Sequence, residues 1–149
     1  QFVLMINDDG FILNPNNWMD EFLNYDFIGA PWGRKYHFSK RPPGLTDRGY
    51  EVACTEINLV GNGGFSLRSK KFLEVCRDCP AHLDKDTEPE DVYVCLNNYD
   101  YFISRGIRYA PIPVANKFSD QWSTDANTQF GFHGSRRAIK NLIVKGCIL

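Results

Sequence analysis

No stretch of this 149-residue sequence is apolar over the ~20 residues that a bilayer-spanning helix requires. It also lacks a surplus of charge. Its 17 Lys+Arg against 18 Asp+Glu leave a formal net charge of -1, which excludes attachment to nucleic acid or anionic lipid by bulk electrostatics. No internal repeat and no low-complexity tract interrupts the chain. Neither the phosphate loop ending in Gly-Lys-Ser/Thr nor the dinucleotide fingerprint is present. Cysteine is scarce in a telling way: Cys54, Cys76, Cys79, Cys95 and Cys147 are odd in number, so they do not form a disulfide framework. The single C-x-x-C, Cys76 to Cys79, has no second pair to complete a zinc site and does not open a helix as a thioredoxin-like motif does. Reduced thiols and the absence of any Asn-x-Ser/Thr acceptor favour a cytoplasmic location.

What is present is a globular composition, 43% hydrophobic and 23% charged, which excludes disorder and fibrous repeats. The length suits a single domain, 1–149. The sequence passes from Gln1 directly into the apolar run Phe2-Val3-Leu4-Met5-Ile6, so it reads as a piece of a longer protein. That run predicts a strand buried on both faces of a mostly parallel sheet. Asn14 and Pro15 predict a helix start, with Trp18, Phe22 and Leu23 on its apolar face. Residues 25–32 read as a short strand ending at Pro31-Trp32. From Gly33 to Glu56 the pattern dissolves into a basic, Pro- and Gly-containing loop, 33–56, long enough to be a lid. Ile57 to Val60 restarts a strand. Ser69 caps a helix carrying Phe72, Leu73 and Cys76, and a second helical pattern runs from about Glu90 to Arg105, stopped by Gly106. Ile107 to Phe118 reads as extended, broken by Pro111 and Pro113, and a short basic helix closes the chain. Alternating strands and helices predict an α/β domain.

Four clusters could carry chemistry. Asp8 and Asp9, in Asn7-Asp8-Asp9-Gly10, follow the first strand, where α/β sheets bind ligands and where carboxylates can hold a divalent cation. The same four residues are also ordinary turn chemistry. Gly61-Asn62-Gly63-Gly64-Phe65-Ser66 permits close backbone approach to a ligand, or is a plain glycine-rich bulge. Glu88-Pro89-Glu90-Asp91 opens a helix. There a carboxylate can be a general base held ionised by the helix field, or merely a cap. His133, in Gly131-Phe132-His133-Gly134, is a candidate metal ligand in a late loop, or a structural imidazole; His37 and His82 have no comparable context.

In this order the clusters resemble the GT-A class of nucleotide-sugar-dependent glycosyltransferases. The closer resemblance is to a glycosyltransferase-like family labelled a domain of unknown function. It is carried by Asp26-Phe27-Ile28-Gly29-Ala30-Pro31-Trp32, Val60 to Arg68, Glu90-Asp91 and Gly131 to Gly134. The resemblance implies a mixed sheet flanked by helices, the C-terminal portion of a GT-A domain lacking its N-terminal nucleotide-binding part. It implies an inverting, hexosyltransferase-type enzyme with a nucleotide-diphosphate donor and a carbohydrate, protein or lipid acceptor. Asp9, with Asp8 and His133, would hold a divalent metal, Mn²⁺ before Mg²⁺ because the ligands mix carboxylate and imidazole. Asn7 departs from the family's Asp-x-Asp pattern. Asp91 would be the base, with Glu90 second. Trp32, Asn62, Gly63, Gly64, Phe65 and Ser66 would line the sugar pocket. Two rivals remain: a non-catalytic carbohydrate-binding or scaffolding domain, and a metal-dependent phosphoesterase.

Overall fold

The computed structural model describes residues 1–32, 60–79, 89–120, 128–134 and 140. The expected loop 33–56, the strand residues 57–59, Glu88, the polar loop before it and the closing basic helix lie outside the described residues.

The class is mixed α/β, but the sheets are small and mainly antiparallel. Strands β1 (Phe2–Ile6), β3 (Phe27–Pro31) and β4 (Val60–Ser69) form a first sheet in the order β1-β4-β3. Both of its pairings are antiparallel, which corrects the parallel sheet expected from the apolar run. Among the described residues β1 pairs with β4 alone, and Val3, Met5 and Ile6 are exposed, so the run is not buried on both faces. The second sheet joins β2 (Gly10–Ile12), β6 (Gly131–His133) and β5 (Ser119–Asp120). β2 is antiparallel to β6, and β5 is parallel to it. His133 therefore stands on a strand and not in a loop.

The helices answer to their caps. Ser69 Oγ accepts from Phe72 N–H at 3.0 Å and opens α1 (Lys70–Asp78), as the sequence predicts. Asn14 Oδ1 accepts from Asn16 N–H at 3.1 Å, but it opens only a 3₁₀ turn, Pro15–Asn17. Extended backbone at Trp18 and Met19 breaks the predicted helix before a second 3₁₀ turn, Asp20–Asn24. The pattern from Glu90 is interrupted as well. Glu90–Val92 (α2) passes into a π-helical turn, Tyr93–Asn97, and Tyr99–Ser104 (α3) follows after a break at Asn98. Gly106, at φ 71, ends it. Ile112–Phe118 is a helix, α4, which corrects the expected extended segment. Pro111 stands at its cap and Pro113 in its first turn, where a missing N–H costs nothing and the fixed φ favours helix.

Alternation along β3 and β4 divides the core. Phe27 points to one face and packs with Phe72, Phe102, Val94, Leu96 and Ile107. Ile28, Phe65 and Leu67 point to the other and pack with Phe22, Val114, Phe118 and Phe130. Asp26 locks the edge of the first sheet. Its carboxylate accepts from Ser69 Oγ at 2.8 Å and from Arg108 N–H at 3.0 Å.

Candidate functional site

β4 is regular where its side chains alternate and irregular where its glycines lie. Gly29 pairs with Ser66, but the next residue of β3, Ala30, pairs with Asn62, so Gly63 to Phe65 bulge away from β3. The glycines thus lie in the interior of a buried strand and form the bulge that is one of their two readings. The bulged glycines are bonded. Gly63 N–H donates to Asp91 Oδ2 at 3.2 Å, and Gly63 C=O accepts from Ser66 Oγ at 2.9 Å and Arg68 Nη2 at 3.4 Å. Gly64 N–H donates to Asn62 Oδ1 at 3.1 Å, and Gly64 C=O accepts from Asn7 N–H at 2.8 Å. The peptide groups of both glycines have their partners, as a buried backbone requires.

The glycines make room for the side chains that the sequence singles out. A Cβ on Gly64 would run into the imidazole of His133, and one on Gly63 would lie 2.6 Å from Glu90 Oε1 and 3.2 Å from Asp91 Cβ. His133 Nε2 stands 3.0 Å from Asp9 Oδ1, and their side chains are 16% and 38% exposed, so a small solute reaches the pair from the Asp9 side. His133 Nδ1 is buried with no hydrogen-bond partner among the described residues. Asp9 is delivered by the turn after β1, closed by Gly10 N–H on Asn7 C=O at 2.9 Å. Register pairing of Gly10 with His133 then brings the carboxylate to the ring. The four residues do form a turn, as one of their two readings has it. Asp8 is exposed on that turn.

Asp9 and His133 fit a shared cation. Two neighbouring ligands, each about 2.1 Å from an octahedral ion, lie about 3 Å apart. No cluster of three or more His, Cys, Asp or Glu that could hold a metal occurs among the described residues. Asp91 sits at the other glycine. Burial pushes its carboxyl above the usual aspartate range, the Gly63 N–H pulls it back, and neighbouring Glu90 pushes it up again. The helix field expected to keep it ionised is weak, because α2 is only three residues long before the π-helical turn.

The other sugar-pocket residues are occupied within the fold. Trp32 is 8% exposed, with its six-membered ring against Gly61, and Phe65 is wholly buried in the core. Neither offers an open face for a sugar. Asn62 and Ser66 direct their polar groups into the bulge. Cys76 and Cys79 are free thiols, and burial pushes Cys76 up to about 11, which suits no redox role.

Arg68 is the residue that the sequence reading passed over. Its side chain is 9% exposed and forms an ion pair with Glu90. Nε donates to Ser66 Oγ at 3.0 Å, and the guanidinium lies 5.5 Å from the centre of the Phe27 ring. Its signal was there: a charged residue at an inward position of a strand is almost never buried unless paired.

The chain belongs to the family described as protein of unknown function (DUF5672), whose model matches residues 1–133. Neither the curated proteins nor the solved structures hold a significant match to it.

Proposed function

We propose that the chain carries the donor-phosphate end of a nucleotide-sugar-dependent glycosyltransferase site of the GT-A type. Asp9 and His133 would hold a divalent cation, Mn²⁺ in preference to Mg²⁺, and Asp91 would take the acceptor proton. The observation that carries this reading is the meeting of three distant segments at one glycine pair: the Asp9–His133 contact at Gly64 and the Asp91 carboxylate on Gly63 N–H.

The cation, when bound, offsets the charge that builds on a departing diphosphate, an effect worth several kcal/mol. The remaining work falls to the chain itself. Asp9 presents a reachable carboxylate. Gly64 leaves the space in which His133 is fixed. Asp91, held by Gly63 N–H and raised in proton affinity by burial, is a stronger base toward a hydroxyl than an exposed aspartate would be.

Calorimetry of the full-length protein that contains this chain against Mn²⁺ alone, and against a panel of nucleotide sugars with and without Mn²⁺, tests the reading. One nucleotide sugar is expected to bind in a Mn²⁺-dependent manner, weakened at least tenfold by Asp9→Asn or His133→Ala. Asp91→Asn is expected to leave binding intact and to slow transfer by about 10²–10⁴. Binding that ignores both Mn²⁺ and Asp9→Asn overturns the proposal. Phosphate released from a simple ester without acceptor would favour the phosphoesterase instead.

A further inference from the structure

Arg68 is a buried cation whose hydrogen bonds among the described residues lead to the floor beneath Asp91. Nη2 reaches Gly63 C=O and the Glu90 carboxylate, while Nε reaches Ser66 Oγ, itself bonded to the same Gly63 carbonyl. Gly63 is therefore gripped from its carbonyl side by Arg68 and Ser66, and from its N–H side by Asp91. Glu90, next to Asp91 in the chain, is drawn toward the sheet by the same guanidinium.

From this geometry we infer that Arg68 is a positioning residue, which acts through Gly63 and Glu90 to hold the Asp91 carboxylate in one orientation. A planar fork is needed for the task. It serves a hydroxyl, a carbonyl and a carboxylate at once, whereas an ammonium group is a single point of charge. Among the described residues, the titratable or charged groups around Asp91 are Glu90 on its own turn, Arg68 on β4 and the Cys95 thiol on the π-helical turn. With Arg68 removed, the Glu90 carboxylate is left unpaired beside Asp91 and repels its ionised form.

The inference rests on the proposed function only for the meaning of Asp91 as a base, so its test uses the ligand-free protein. Nuclear magnetic resonance reads two quantities: hydrogen exchange of the Gly63 amide and the titration midpoint of the Asp91 carboxyl carbon. Arg68→Gln is expected to speed Gly63 exchange about tenfold and to move the Asp91 midpoint upward by about one pH unit. Arg68→Lys is expected to rescue the midpoint in part but not the exchange. Glu90→Gln, a change at a largely exposed side chain, is expected to move the midpoint downward. Opposite movements in Arg68→Gln and Glu90→Gln follow from the two charges alone; faster Gly63 exchange that Arg68→Lys does not rescue is what charge alone does not produce. An unchanged Gly63 amide in folded Arg68→Gln overturns the inference. If that variant does not fold, a Gly63 amide in Arg68→Lys that exchanges as slowly as in the unaltered chain does so. Failure to find any nucleotide-sugar binding would leave these readouts, and the inference, standing.

Discussion

The two halves of β4 behave as different materials. From Phe65 to Ser69 the strand pairs in register with β1, Ser66 to Arg68 pair with β3 as well, and Phe65 and Leu67 enter one apolar core while Arg68 lies over Phe27 of the other. From Val60 to Gly64 the pairing with β3 slips, and few side chains contribute to packing. The first half to be read is poor in packing energy and rich in close approaches; the second is the reverse. A strand can thus be anchored at one end and leave its other end free to accept an imidazole and a carboxylate where side chains would normally stand. Glycine weakens a strand, and here that weakness is offset by side chains bonded to both peptide groups of Gly63 and to Gly64 N–H.

The sharpest way to break this contrast is at the anchored end. Phe65→Ala is expected to cost about 3–5 kcal/mol, read as a lower midpoint in denaturant unfolding. An insult of comparable size at the irregular end should act differently. Gly64→Ala, which drives a methyl into the His133 ring, is expected to cost about 1–3 kcal/mol and to move the His133 ring resonances. Loss of stability without movement of those resonances would show that the bulge yields before the imidazole does. At the junction of strand and helix, Ser69→Ala removes both the α1 cap and a partner of Asp26. It is expected to cost about 1–2 kcal/mol in thermal unfolding.

The smallest effect has the opposite sign. Asp91 holds its proton more tightly folded than unfolded, so the folded state binds more protons between the usual aspartate range and that raised value. The stability of the unaltered chain therefore falls as pH rises through this interval. Asp91→Asn, which can still accept from Gly63 N–H, is expected to gain about 0.5–1 kcal/mol at neutral pH. The gain should vanish at pH below the usual aspartate range. A gain independent of pH would place the cost elsewhere than in the buried carboxyl.

Local chemistry was legible in the sequence, and pairing was not. The Ser69 cap and the Gly106 stop depend on neighbours within one turn, and both stand where the residues put them. Asp9, Asp91 and His133 could be named from their settings, and the fold brings them to one glycine pair. The direction of β1 escaped because an apolar run carries no record of its partner, and β4 is antiparallel to it. Pro111 and Pro113 misled because a proline that breaks a helix from within also opens one from its first turn. The glycine string was ambiguous for a related reason. Its residues need glycine because of Trp32, His133, Glu90 and Asp91, all contributed by other segments, and not because of any unusual backbone angle of their own.

The pairing of Gly10 with His133 has a consequence for how the molecule comes into being. Its two members lie far apart in the sequence, and closing so long a loop is entropically slow. Asp9 must wait, after its own turn has formed, for the segment that carries His133 to be synthesised before it meets its imidazole. Nascent chains halted short of Gly131 would carry both cores in part, yet no Asp9–His133 contact.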